Sequence, residues 1–151
     1  MRTLSPMVAA LLLACKEGGG TLAPVVYDLE GTWNFEETVT DSQNDITCEG
    51  QGTLSLTQTG TAFSGTVTET GTCTVGSEVT DISGSFPVTG TVTGLVMTMT
   101  DNGVEIPCTF NGTLSGSIRG SPPTRLAGAE RCTGTVQGVT YDLRGTWEAT
   151  R

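Results

Sequence analysis

The sequence has no histidine, few aromatic residues and few basic residues, and each shortage excludes a class of function. Without histidine the chain lacks the commonest general base and a principal protein ligand of zinc and haem iron. Only 7 Lys and Arg residues stand against 16 Asp and Glu residues, which gives a formal net charge of −9. Because nucleic-acid binding requires basic residues that neutralise phosphates, this balance argues against a nucleic-acid partner.

Catalytic motifs are also missing. The serines and threonines have no histidine partner, and no glycine-rich phosphate-binding loop occurs. The sequence therefore predicts a protein that is not an enzyme and that holds no cofactor.

Two acidic features are interpreted without a metal. Residues 41–45 gather carboxylates and amides but lack the glycine and terminal glutamate of an EF-hand loop, so we expect an exposed turn. Glu36 and Glu37 are adjacent, so a regular strand directs one of them inward. An inward Glu37 is either buried with a raised pKa or placed at the wet mouth of the fold, and we expect the mouth.

The longest apolar run lies at the N-terminus, where residues 7–14 follow a single basic residue, Arg2. The run is too short to span a bilayer, but a positive charge before a short apolar stretch is the layout of an export signal. Leu12-Leu-Ala-Cys15 resembles the lipobox of bacterial lipoproteins. The resemblance implies a signal peptide over residues 1–14 and a lipid, including palmitate, on Cys15. The alternative is an ordinary secretory signal in which Cys15 is incidental.

The lipoprotein resemblance also implies a location. The lipid would hold the mature chain at the cell envelope, anchored to the membrane without spanning it. Lys16 follows Cys15 where an aspartate would favour retention, so a Gram-negative host implies the outer membrane. Residues 15–24 include three consecutive glycines and are predicted to be a flexible tether. Residues 25–151 are then the folded domain.

The other four cysteines are Cys48, Cys73, Cys108 and Cys132. An even number in an exported chain indicates disulfides. A two-residue hairpin loop at Gly60-Thr61 would place Cys48 directly opposite Cys73, close enough for a bond. The pairing of Cys108 with Cys132 follows by elimination, and it spans residues 120–129, which show no strand pattern. No Cys-x-x-Cys pair occurs, so no metal is predicted.

Beyond the tether the pattern is that of short strands. Alternating apolar and polar residues recur between Gly and Asx turns, and no helical pattern is seen. The first run, residues 31–40, places Trp33, Phe35 and Val39 on one face. Asp101-Asn-Gly103 is predicted to be a tight hairpin turn. The runs amount to about eight strands in simple succession.

Two segments near the ends of the domain almost repeat each other: Tyr27-Asp-Leu-Glu-Gly-Thr-Trp33 and Tyr141-Asp-Leu-Arg-Gly-Thr-Trp147. A repeat found only at the two termini is not a solenoid. It fits a first and a last strand that lie side by side and so remove the edges of a sheet. The predicted fold class is therefore all-β, an up-and-down antiparallel barrel of about eight strands, favoured over a sandwich.

Gly31-Thr-Trp33 resembles the Gly-x-Trp motif of the lipocalin and avidin-like barrels, the calycin group, and the last strand resembles the closing strand of the avidins. The resemblance implies a lipocalin-like barrel. It implies that Trp33 closes one end beneath a basic residue, Arg151 or Arg144, in a cation–π contact. Trp147, in the second copy of the repeat, is assigned to the same closure. No avidin-like set of biotin-binding residues occurs, so biotin is not implied.

A barrel of this size is either filled by side chains or wide enough for one small ligand. We predict a binding module for a small apolar ligand. Its pocket would be lined by the large apolar residues Phe63, Phe86, Met97, Met99, Ile106 and Phe110. The alternative is that these residues are simply core. The protein would then be a structural or inhibitor-like lipoprotein that contacts another envelope protein through its loops.

Overall fold

The computed structural model describes residues 25–102, 104–116 and 121–151, which form one closed antiparallel barrel. Each strand pairs with the next along the chain, and the last pairs with the first. The strands are β1 (Gly31–Asp41), β2 (Ile46–Thr59), β3 (Ala62–Val75), β4 (Glu78–Thr93), β5 (Val96–Asp101), β6 (Cys108–Ser115), β7 (Arg125–Val136) and β8 (Val139–Thr150). The prediction of an all-β up-and-down barrel with eight strands is confirmed.

The N-terminal predictions lie outside the described residues. They are the signal peptide over residues 1–14, the lipidated Cys15 and the tether over residues 15–24. Within the part of the chain that the structure describes, no helix has the length and apolar character needed to cross a membrane.

Alternation of side chains along each strand builds the interior. In β1, Trp33, Phe35 and Val39 are buried while the residues between them mostly face solvent, as the period of two predicts. The buried apolar residues form two clusters. The larger one includes Trp33, Phe35, Leu54, Phe63, Met99, Phe110 and Trp147. The smaller one, toward the opposite end of the barrel, contains Val39, Cys48, Cys132 and Leu143.

The predicted closure of the barrel by its first and last strands is confirmed. β1 pairs with β8 from Asn34 opposite Thr150 to Thr40 opposite Arg144. The Gly-Thr-Trp parts of the two copies therefore lie on neighbouring strands, but the residues before them differ in structure. Tyr141 belongs to β8, whereas Tyr27 precedes β1. The side chain of Gln58 bonds the backbone of this preceding segment, accepting from the amide of Leu29 and donating to the carbonyl of Tyr27.

The end of the barrel where β1 begins is covered by Leu29, Trp33 and Arg151, and we call it the closed end. The indole Nε1 of Trp33 donates to the carbonyl of Leu29 at 3.0 Å. The guanidinium of Arg151 lies over the Trp33 ring, 4.2 Å from its centroid. Arg151 therefore makes the cation–π contact, whereas Arg144 pairs with Asp142 on the barrel exterior. Trp147 lies away from the closed end, opposite Glu37 in the register of β1 and β8.

Arg151 also ties the closed end together through hydrogen bonds. Its guanidinium donates to the carbonyls of Asp28, Glu30 and Pro123.

We expect Arg151→Ala to lower the free energy of unfolding by about 2 kcal/mol, because it removes charged hydrogen bonds and a cation–π contact together. Arg144→Ala, which removes an exposed ion pair, should cost at most about 1 kcal/mol. Urea denaturation of both variants tests this, and equal losses would contradict the role of Arg151.

The predicted register of the β2–β3 hairpin is confirmed. Gly60 and Thr61 form the loop, with Gly60 at a φ of 62°, and Cys48 lies opposite Cys73. Disulfides join Cys48 to Cys73 and Cys108 to Cys132, with S–S distances of 2.02 and 2.01 Å. Both predicted bridges are thus confirmed, and each joins directly opposed residues of neighbouring strands.

Two of the predicted loops differ from the structure. The prediction of a tight turn at Asp101-Asn-Gly103 is wrong, because β5 ends at Asp101 and β6 begins only at Cys108. The carboxylate of Asp101 turns inward and accepts the backbone N–H of Cys108 at 2.7 Å, which holds a wider connection. The loop predicted over residues 120–129 is shorter, because β7 begins at Arg125. The inward positions of β7 include Gly128 and Glu130, so the sequence of this strand shows no clear alternation of apolar and polar residues.

The turn after β1 is not simply exposed. Asp41 is buried, and its carboxylate accepts the backbone N–H groups of Gln43, Asn44 and Asp142. The bond to Asp142 joins this turn to β8. Asp41 therefore has a structural role, stabilising the turn and its contact with the last strand.

Candidate functional site

Four carboxylic side chains occupy inward positions in the middle of the barrel, and we call them the carboxylate layer. They are Glu37 on β1, Glu69 on β3, Asp101 on β5 and Glu130 on β7. Each takes a place in the alternation where an apolar residue would be expected. Glu37 follows Phe35 at this spacing, and the other three follow Val67, Met99 and Gly128. Every second strand of the barrel thus contributes one carboxylic acid.

Glycines on the neighbouring strands provide room for these side chains. Glu37 lies opposite Gly50, and Glu69 lies opposite Gly52. A Cβ atom at Gly50 would lie 2.9 Å from Oε2 of Glu69 and 3.4 Å from Oε1 of Glu37. The two carboxylates therefore approach the same space, and glycine is what leaves that space open.

The carboxylate layer lies between the two apolar clusters. Glu37 stands between Phe35 of the larger cluster and Val39 of the smaller one along β1. Glu130 is buried, with 4% of its surface exposed, and its Oε1 lies 3.3 Å from Sγ of Cys132. Cys108, Glu130 and Cys132 come within 4.8 Å of one another. Their sulfurs are joined in a disulfide, so they are not available as thiolate ligands.

No basic side chain compensates this layer within the described residues. Arg125 pairs with Glu148 on the exterior, Arg131 and Arg144 pair with Asp142, and Arg151 covers the closed end. Among the side chains that the structure describes, four buried polar atoms have no hydrogen-bond partner: Oε2 of Glu37, Oε2 of Glu69, Oε2 of Glu130 and Nε1 of Trp147. Three of these four atoms belong to the carboxylate layer.

Burial controls the protonation of the layer. Loss of solvation, together with the nearby Glu37 carboxylate, raises the pKa of Glu130 to about 10. Burial and the charge of Glu69 raise the pKa of Glu37 to about 7. Burial also raises the pKa values of Glu69 and Asp101. Glu37 is half-buried inside the barrel with a raised pKa, so it matches in full neither predicted alternative, a buried carboxyl or a place at a wet mouth.

Glu69, Asp101 and Glu130 were not predicted from the sequence as members of a site. A signal for them exists, because each keeps the parity of inward residues on its strand, as in Met97-x-Met99-x-Asp101. When one strand is considered alone, an acidic residue at such a position indicates the end of the strand. Only the comparison of all strands shows that the breaks in the apolar pattern fall at one level of the barrel.

The residues predicted to line an apolar pocket lie within or against the core. Phe63, Met97, Met99 and Phe110 belong to the larger cluster, and Phe86 packs against it. Ile106 packs against the smaller cluster. Phe110 meets Trp147 edge to face, with ring centroids 5.9 Å apart. These side chains contact other side chains of the core, and binding of an apolar ligand among them stays a prediction.

A groove of about 790 Å³ lies along strands β1, β2, β3, β7 and β8. Residues of β1, β2, β3, β7 and β8 line it, among them the outward Glu36 and Glu148 and the inward Glu37 and Trp147. Its floor is formed in part by glycines, and Arg125 pairs with Glu148 at 2.7 Å along its side. The groove therefore reaches Glu37 of the carboxylate layer, and none of the residues predicted to form an apolar pocket lines it.

The fold defines a disulfide-bonded, closed antiparallel β-barrel with an acidic interior layer. Comparison of the chain with models of known protein families finds no match. Comparison with curated proteins finds no significantly similar relative.

Proposed function

We propose that this protein is a lipid-anchored lipoprotein of the bacterial cell envelope whose lipocalin-like barrel acts as a binding module. The observation that carries the anchor is the use of the cysteines. Of five in the chain, four form the two disulfides of the barrel, which leaves Cys15 in its lipobox-like context. Structural disulfides are typical of exported proteins, so this bonding also supports a location outside the cytoplasm.

The segment before β1 gives the barrel an orientation in this proposal. Leu29 covers the closed end, so the described chain enters the barrel on that side. The turns after β1, β3 and β7 lie at the other end and would face away from the membrane. A lipid on Cys15 would therefore present the end that carries both disulfides to other envelope components.

The mode of binding has two candidates. The first is a small apolar ligand held among the residues around Phe63 and Phe110. The second is contact with another envelope protein by a barrel filled with side chains. The second is favoured by the packing of those residues into the core and by the exposure of Val75, Val79 and Val139 near the distal turns. Native mass spectrometry of the protein after incubation with envelope lipid extract separates them, since a retained lipid supports the first and its absence the second.

The anchor is tested by Cys15→Ser. We expect this variant to lose palmitate labelling, to keep its leader and to leave the membrane-anchored fraction, because a thioether requires the thiol. Its barrel should remain folded, since both disulfides lie elsewhere. Radiolabelled palmitate and detergent phase partition provide the measurement.

Lys16→Asp is the matched control for this test. It preserves Cys15, so labelling should persist while delivery in a Gram-negative host shifts toward the inner membrane. Normal labelling and processing of Cys15→Ser would contradict the proposed anchor.

A further inference from the structure

We propose that residues 79–85 of β4, which we call the open edge, bind an extended basic segment of a partner protein as an added strand. In strand addition the backbone hydrogen bonds supply affinity and the alternating side chains supply specificity. The inference rests on the protein-contact mode of the proposed function, for which it names the surface and the kind of partner. It is independent of the lipid anchor.

The open edge has a neighbouring strand on one side only. β3 pairs with β4 along the whole of this stretch. The ladder between β4 and β5 covers only residues 88–93, and the described residues show no strand beside residues 79–85 on that side. The connection that follows β5 runs beside β7 instead, where Thr133 donates its backbone N–H to the carbonyl of Pro107. The barrel wall is therefore incomplete next to the open edge.

Hydrogen-bond parity identifies the backbone groups that are left without a strand partner. In an antiparallel pair, the residues that bond a given neighbour alternate along the strand. Pro87 accepts the backbone N–H of Asn102 at 2.8 Å on the β5 side, so the odd-numbered residues of β4 face that side. In the open edge these residues direct their N–H and C=O groups toward the place that β5 leaves unfilled. Such a row of backbone groups is a template for another strand.

The side chains of the open edge leave room for an added strand. Ile82 is partly buried, and every other residue of the edge is exposed. Gly84 has the inward parity of Ile82, and a Cβ there would meet nothing within 4 Å. Val79 is 63% exposed. An added strand would therefore cover apolar surface as well as backbone groups.

The distribution of charge favours a basic partner over a second copy of this chain. The sequence contains no Lys or Arg between Lys16 and Arg119, an interval that includes all of β1 to β6. Asp81 lies in the open edge, and Glu78 directly precedes it. Two copies that paired through this edge would bring together surfaces of the same sign, each on a chain of net charge −9. That repulsion opposes association of copies, whereas a basic segment is complementary.

Hydrogen exchange of the unbound protein tests the parity. We expect the amides of odd-numbered residues in the open edge to exchange at least about tenfold faster than those of the even-numbered residues, which bond β3. Equal protection of the two sets would contradict the open edge.

Partner binding is tested on the purified full-length protein with a fluorescent probe peptide of alternating lysine and valine, about ten residues long. We expect anisotropy to show binding that weakens as NaCl is added, and no binding of the same peptide with glutamate in place of lysine. Two further versions carry N-methyl groups on alternate residues, so that each blocks the N–H groups of one strand edge. At least one of them should lose at least about tenfold in affinity.

Ser83→Pro is the matching change in the protein. Ser83 has the parity of the open edge, so proline removes an N–H that faces the unfilled place, a position that tolerates proline. We expect an affinity loss of about tenfold or more, whereas Ser83→Ala, which keeps the N–H, should stay within about twofold. Asp81→Asn should bind the probe more weakly, and Glu36→Gln on β1 should bind it like the unmodified protein.

Three results would overturn the proposal: no binding of the lysine–valine peptide, full binding of both N-methylated versions, or unchanged binding by a folded Ser83→Pro. The N-methylated peptides test the edge without any variant of the protein. Dimerisation of the unmodified protein that Ser83→Pro abolishes would assign the edge to a second copy and would also overturn the proposal. Palmitate labelling and lipid retention do not depend on this edge, so its failure is distinguishable from failure of the proposed function.

Discussion

Raising the pH from about 5 to about 9 is expected to lower the thermal midpoint of this protein continuously. The cause is the carboxylate layer. Glu37 and Glu130 have pKa values raised from 4.5 to about 7 and about 10 in the folded state. Above pH 4.5 the unfolded chain releases these protons while the folded chain retains them. Unfolding therefore becomes more favourable as the pH rises through this interval.

The opposite trend is expected in acid. The pKa values of Asp142 and Glu148 are lowered by their arginine partners, and that of Asp41 is lowered by its hydrogen bonds. Stabilisation by these groups is present above the unfolded pKa and is lost as the pH falls. The two trends place the stability maximum at about pH 4 to 5.

Thermal melts across this pH range provide the measurement, with Glu130→Gln and Glu36→Gln as the paired variants. Glu130→Gln should flatten the fall on the alkaline side, because a neutral amide replaces the group with the larger shift. Glu36→Gln should follow the unmodified protein. A flat profile of the unmodified protein between about pH 5 and about pH 9 would contradict the assignment of buried, proton-retaining carboxyls.

Gly128→Ala is expected to destabilise the barrel by about 3 kcal/mol or more, or to prevent folding. A Cβ atom at Gly128 would lie 1.8 Å from the carbonyl oxygen of Asn111 and 2.7 Å from Cα of Gly112. Both atoms belong to the backbone of β6, which cannot move without breaking its ladder with β7. The loss would therefore arise from displacement of a whole strand.

Gly84→Ala is the matched control. It also lies within a strand, but a Cβ there would meet nothing within 4 Å. Its effect should stay within about 0.5 kcal/mol. Guanidinium denaturation followed by tryptophan fluorescence compares the two variants. Equal stability of Gly128→Ala and Gly84→Ala would contradict the close approach of β6 to β7 at Gly128.

The local sequence pattern was sufficient to predict much of the barrel. The hairpin loop at Gly60 set the register of β2 and β3, and that register alone brought Cys48 opposite Cys73. The alternation in β1 identified Trp33 and Phe35 as inward residues. These predictions succeeded because cross-strand neighbours in a hairpin depend on loop length and parity, which are local properties of the chain.

The same local patterns gave wrong predictions where contacts between distant parts of the chain determine the structure. Asp101 was predicted to begin a tight turn, yet its carboxylate holds the amide of Cys108. Residues 27–30 repeat a strand segment of β8, yet they cover the closed end because Gln58 and Arg151 bond their backbone. In each case the hydrogen-bond partner is distant in the sequence or lies beyond the turn, so the local pattern does not predict it.

The sequence by itself therefore determined an all-β chain of alternating strands, two disulfides and the pairing of its first and last strands. Only the tertiary structure decided which basic residue covers Trp33 and that Glu37 interacts with Glu69, Asp101 and Glu130. The physical reason is barrel closure. Parity determines whether a side chain faces inward, but the stagger of all eight strands determines which inward side chains meet.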